Sequence, residues 1–85
     1  MSKLNKISDK ELKTYCRDNF FADGNITVIR MGNNAACSFD VEYDRYEGRK
    51  HSVTVFFSDQ HIMANNIDIE SGDERKWQNY LASRQ

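Results

Sequence analysis

Five side chains in this sequence stand out as candidates for catalysis: Cys16, Cys37, His51, Asp59 and His61. A cysteine beside a histidine could supply a thiolate nucleophile. The spacing argues against that use. Cys37 falls on the apolar side of an alternating stretch and Cys16 on the apolar side of a helical one, and a buried thiol without a basic neighbour is inert. Asp59 and His61 are two apart and would share a strand face, but no nucleophile accompanies them. Close Cys-x-x-Cys or His-x3-His pairs of the kind zinc sites use are missing, as is a glycine-rich phosphate loop. The expectation is a protein without enzymatic activity, cofactor or bound metal.

Binding chemistry is better represented. The stretch YDRYEGRKH, residues 43–51, interleaves Arg45, Arg49 and Lys50 with Tyr46. Rings of this kind stack on bases and such cations neutralise phosphates. Asp40, Glu42 and Asp44 alternate along one segment, which spaces their carboxylates roughly 6.8 Å apart on one strand face. That is close to the phosphate spacing of a nucleic-acid strand, so an acidic nucleic-acid mimic is one alternative. Beside the acids, Ile29, Ser38 and Phe56 fall in one row of the same face, with Met31 nearby. An apolar patch with an acidic rim suits a protein partner or a homodimer.

These residues need elements to hold them. ISDKELKTYCRDNFF starts as a helix: Ser8 caps, Glu11 returns the bond, and Ile7 and Leu12 form a hydrophobic staple. Asp23-Gly24 supplies the expected stop. ITVIRM, ACSFDVEYD and KHSVTVFF then alternate with period two, and short turns between them imply an antiparallel meander. The expected turns are Asn33-Asn34 and a three-residue Tyr46-Glu47-Gly48 loop with a bulge at Gly48. They pair Val28 with Phe39, Val41 with Val53 and Tyr43 with His51, and set Asp44 across from Lys50, offsetting part of the tip's charge. The predicted core face is Ile26, Val28, Cys37, Phe39, Val41, Val53, Val55 and Phe57. Residues 67–70 suggest a fourth strand, with a helical turn over 59–63. SGDERKWQNYLASRQ closes as a helix capped by Ser71 or Asp73, with Trp77, Tyr80, Leu81 and Arg84 on one face.

The chain has 85 residues, 39% hydrophobic and 29% charged, with 12 basic and 13 acidic groups. One small α+β domain is expected, with residues 1–6 frayed and both helices packed on one face of a three- or four-stranded sheet. Near-neutral charge leaves no whole-domain attraction to nucleic acid. No apolar run reaches the ~20 residues of a bilayer span, and MSKLNKISDK has no secretory apolar stretch. Two cysteines with no disulfide framework fit an intracellular, cytoplasmic protein.

The order helix, three-stranded meander, helix resembles the double-stranded-RNA-binding domain. The resemblance implies an RNA-binding module as the alternative function; the cations that the sequence itself offers for such a module are Arg45, Arg49, Lys50 and Lys76. In that family a basic cluster opens the second helix and the first hairpin carries Gly-Pro-x-His. Here SGDERKWQ puts two acids before Arg75 and Lys76, and the hairpin reads MGNNAA, so no binding residue is carried over. The leading expectation is a small protein-binding module, an accessory regulator or inhibitor. It would act through the outer sheet face and hairpin tip: Ile29, Asp40, Glu42, Asp44, Arg45, Tyr46, Arg49, Lys50 and Phe56.

Overall fold

The structure, a computed structural model, describes residues 2–43 and 49–85, with the backbone alone described at 42, 43, 49 and 50. A short 3-10 turn (Leu4–Lys6) leads into α1 (Asp9–Phe20). Four strands follow: β1 (Asp23–Met31), β2 (Asn34–Tyr43), β3 (Arg49–Phe57) and β4 (Ile62–Asn65). The chain ends in α2 (Ser71–Ser83). The strands form one antiparallel sheet in the order β1-β2-β3-β4. This is the expected α+β class with the fourth strand present. That strand occupies 62–65 rather than 67–70, and the helical turn over 59–63 is not formed. Ile67 and Ile69 instead pack half-buried against the core. Among the described residues no helix is long and apolar enough to cross a membrane.

Helix α1 starts as its sequence dictates. The Ser8 hydroxyl accepts from the Glu11 N–H, and the Glu11 carboxylate accepts from the Ser8 N–H, both at 3.1 Å. Ile7 and Leu12 are fully buried. The stop differs from expectation. Phe21, not Gly24, takes the left-handed C-cap conformation at φ 57°, and the residue is 79% exposed. At the other helix, Glu70 and Asp73 form the capping box, one residue before the expected Ser71.

The core face matches its prediction except at Val28, which is half-buried. The sheet's inner side meets Leu12, Tyr15, Cys16 and Phe20 of α1 and Trp77 and Leu81 of α2 in one cluster. An aromatic knot centres on Tyr15. Its ring meets Trp77 edge-on at 5.1 Å and Phe57 edge-on at 6.1 Å. The Trp77 indole N–H is satisfied by the Ser58 carbonyl at 2.8 Å.

Both strand registers differ from expectation by two residues. In the first hairpin Val28 pairs with Cys37, not Phe39, and Gly32-Asn33 make the turn. Gly32 has φ 60°, and glycine at the first central position is what a type II′ hairpin turn demands. In the second hairpin Val41 pairs with His51, Phe39 with Val53 and Tyr43 with Arg49. Lys50 therefore stands across from Glu42 rather than Asp44. The expected loop at Tyr46-Glu47-Gly48 lies outside the described residues. A two-residue slip keeps every side chain on its own face, so hydrophobic patterning does not oppose it. The observed register also brings Ala35 opposite Phe57, extending the apolar pairing to the end of β3.

The N-terminal segment is anchored rather than frayed. Leu4 and Ile7 are buried, and the Asp59 carboxylate accepts from the Ser2 hydroxyl and from the Lys3 and Leu4 N–H groups at 2.8–3.1 Å. Arg30 adds a second tie, donating to Asp9 and to the Leu4 and Ile7 carbonyls.

Candidate functional site: the outer face of the sheet

Both helices pack on the inner side of the sheet, and among the described residues no helix covers the outer side. Ile29, Ala36, Phe56 and Met63 are successive register partners, so they form one row across all four strands. The two register slips cancel here. Ile29 and Phe56 still share a row as expected, but it runs through Ala36 in place of Ser38. Ala36 is buried between its larger neighbours. Ile29, Phe56 and Met63 are 52%, 43% and 64% exposed, and Met31, two residues on in β1, is 46% exposed. Four of the five large exposed apolar side chains among the described residues lie here. Alternation puts them here: the inner positions of each strand are spent on the core, so an apolar residue at an outer position meets solvent.

The next row is polar: Thr27, Ser38, Thr54 and Asn65. The Ser38 and Thr54 hydroxyls bond each other at 3.0 Å across the strands. Beyond it Asp40, exposed, stands between Asp23 on β1 and Ser52 on β3. The outer face thus grades from apolar through hydroxyl to acidic along the strands. Glu42, Arg49 and Lys50 continue the strands toward the tip, and Asp44, Arg45 and Tyr46 lie outside the described residues. The side chains of the tip half of the predicted site lie outside the described residues, and Ile29, Asp40 and Phe56 are the members that the sheet brings onto one face.

Where Met31, Phe56 and Met63 meet, they line a depression of about 250 Å³ with Asn34, Ser58 and His61. That falls below the roughly 300–1,000 Å³ of small-molecule sites and suits one anchoring side chain. A larger cleft of about 560 Å³ runs between α1 and α2. Contacts between the two helices cross it. Arg84 pairs with Glu11 at 3.5 Å and lies over the Tyr80 ring at 5.0 Å, so the cleft is the seam of the helix pair. Lys76 stands in that seam, on the helical layer. It does not extend the row of outer-face residues.

The catalytic candidates do not assemble. Cys16 and Cys37 meet in the core, both fully buried. The hydrogen bond to Cys37 and burial push the Cys16 thiol far above its ordinary range. Asp59 is committed to the N-terminal clasp. His61 contacts Glu74 at 3.5 Å. Among the described residues no three His, Cys, Asp or Glu side chains cluster to hold a metal.

Sequence reasoning missed two features of the sheet margin. The Asn65 side chain accepts from the Thr54 N–H at 2.7 Å, and the Asn66 side chain donates to the Ser52 carbonyl at 2.7 Å. Asn66 holds a left-handed conformation at φ 62°. The Asn-Asn pair was the available signal, since asparagine tolerates that conformation and bonds backbone.

Comparison with known protein families, curated proteins and solved structures finds no match to this chain.

Proposed function

We propose that the chain is a small, non-enzymatic protein-binding module that acts inside the cell. Its outer sheet face docks a partner surface with an apolar centre and a basic margin. The observation that carries this reading is the row Ile29–Ala36–Phe56–Met63, exposed across all four strands beside a depression of side-chain size. With Met31 it amounts to roughly 400 Å² of contiguous apolar surface, within the range where patches on small proteins are often functional. The hydroxyl row and Asp40 form the polar rim that protein interfaces surround such centres with. Asp40, exposed at the far end of that face, gives the rim its sign. The two free thiols support a reducing compartment. Such a module would regulate or inhibit the protein it covers.

The test is affinity capture from the source cells, with partners identified by mass spectrometry. Phe56→Asp and Ile29→Asp should keep the fold by circular dichroism and lose the specific partner. Asp40→Lys should weaken capture and reduce its salt dependence. Variants that retain every partner would refute the outer face as the site.

A further inference from the structure

The two margins of the sheet are finished differently. At β4 the edge is four residues long, and the Asn65 and Asn66 side chains bond the β3 backbone there. Natural sheets close edges in such ways because an open edge templates another strand. At β1 the edge is nine residues long; its register shifts between Asp23 and Thr27, and the ladder is regular over Thr27–Met31. The two-residue turn makes Met31–Asn34 a hydrogen-bonded pair, so Ile29 and Thr27 also bond β2 while Val28 and Arg30 aim their N–H and C=O groups outward. Among the described residues, no side chain and no other element bonds those outward groups.

We infer that the β1 edge pairs antiparallel with the β1 edge of a second copy, extending the sheet to eight strands. The regular part of the edge, Thr27–Met31, is self-complementary about Ile29. Placing Ile29 opposite Ile29 of the second copy sets Val28 opposite Arg30 and Thr27 opposite Met31. Arg30 is the one charge in the run Ile26–Met31. It never meets itself in this register, and its side chain is drawn inward to Asp9 at 2.9 Å. The run Ile26–Ile29 is β-branched throughout, the composition strand pairing favours.

Area sets the strength. A five-residue overlap is about 17 Å long and about 10 Å thick, far below the ~800 Å² per partner of a standard interface. The dimer is therefore weak and concentration-dependent. Its consequence lies on the outer face. Antiparallel pairing keeps faces aligned, so the two apolar rows become one surface of about 800 Å², the size a standard interface needs on one side. The pairing stands on the edge alone, and its test does not depend on finding the outer-face partner.

Sedimentation velocity between roughly 20 µM and roughly 1 mM, the range of weak affinities, should show a reversible monomer–dimer equilibrium. Over the same range the Val28 and Arg30 amides should gain protection from hydrogen exchange, while Thr27, Ile29 and Met31 stay protected throughout. Val28→Pro removes an outward N–H and spares the β1–β2 ladder; it should weaken the dimer by at least about tenfold through the two lost central bonds. Phe56→Asp should leave the dimer intact. A monomer at the highest concentration, unchanged Val28 and Arg30 exchange, or a dimer that survives Val28→Pro and dissolves with Phe56→Asp would each overturn the edge pairing. The exchange measurement on the native chain decides the matter even if the proline variant fails to fold.

Discussion

Replacing Asp59 by alanine isolates the clasp that holds the N-terminus. Its carboxylate accepts three bonds, from the Ser2 hydroxyl at 3.0 Å, the Lys3 N–H at 3.1 Å and the Leu4 N–H at 2.8 Å. Bonds to a charged acceptor contribute about 1.5–3 kcal/mol apiece when sheltered. The Lys3 bond is exposed and water replaces it at little cost. The Leu4 bond is partly buried, with a fully buried side chain behind it. We therefore expect a total loss of about 2–3 kcal/mol. For a domain of this size each kcal/mol moves Tm by about 4–8 °C, so the melt should fall by roughly 10–20 °C. Urea titration at pH 7 measures the free energy directly.

The pH dependence supplies a second, sharper reading of the same carboxylate. Desolvation pushes the Asp59 pKa up, but the Leu4, Ser2 and Lys3 donors outweigh it and hold the group below its ordinary value. A depressed pKa means that the stabilisation is complete above the ordinary aspartate value and drains away as pH falls through the native one. The gap between native chain and Asp59→Ala should stay constant near neutrality, narrow below about pH 4 and close in stronger acid. A variant as stable as the native chain at pH 7 would refute the clasp. A gap that persists undiminished to about pH 2, below the ordinary aspartate range, would assign the loss to something other than the carboxylate's charge.

Phe21→Gly should stabilise the fold by up to about 1 kcal/mol in a thermal melt, because glycine holds the left-handed C-cap without the steric cost phenylalanine bears. Trp77→Ala should cost about 3–5 kcal/mol, since it empties a fully buried site and orphans the bond to Ser58; a loss under about 1 kcal/mol would contradict the packing around Tyr15. Ser8→Ala should cost about 1 kcal/mol in urea by removing the α1 cap. Cys16 and Cys37 should resist alkylation in the native chain and react on unfolding, as mass spectrometry would show, because burial keeps both thiols from reagent.

Much of the fold could be read along the chain because its cues are local. Ser8 and Glu11 meet their own backbone three residues away, and the capping box forms as written. The alternation of Cys37, Phe39 and Val41 needs no partner to define a face. Stop and turn positions were harder. Gly24 and Phe21 compete to end α1, and Phe21 wins although glycine tolerates the conformation better. The strands choose where Gly32 falls: with Met31 opposite Asn34, the glycine lands at the turn position that demands positive φ. Asn33-Asn34 looked equally suitable in isolation. Residues 67–70 alternate like a strand, but Ile62 lies opposite Phe57 and completes the inner row first.

The candidate site shows why parity is more legible than register. Moving a strand by two residues leaves every face unchanged, so patterning determines which side a residue occupies and leaves its neighbour open. Ile29 and Phe56 were placed on the outer face by parity, and one row joined them because the errors in the two hairpins were equal and opposite. Patterning puts Ser38 in that row, whereas the structure puts it in the next, where its hydroxyl meets Thr54. Ala36, the residue that does join them, is unremarkable by type; it matters because its small side chain lets two larger ones flank it. Asp59 and the Asn65-Asn66 pair lacked any local signal of comparable strength. Their partners lie far along the chain at Leu4 or across a strand at Thr54 and Ser52, and only the closed fold brings them within bonding distance. The open β1 edge belongs to the same class. Nothing in ITVIRM distinguishes an edge from a centre, and the strand order alone leaves Val28 and Arg30 facing outward.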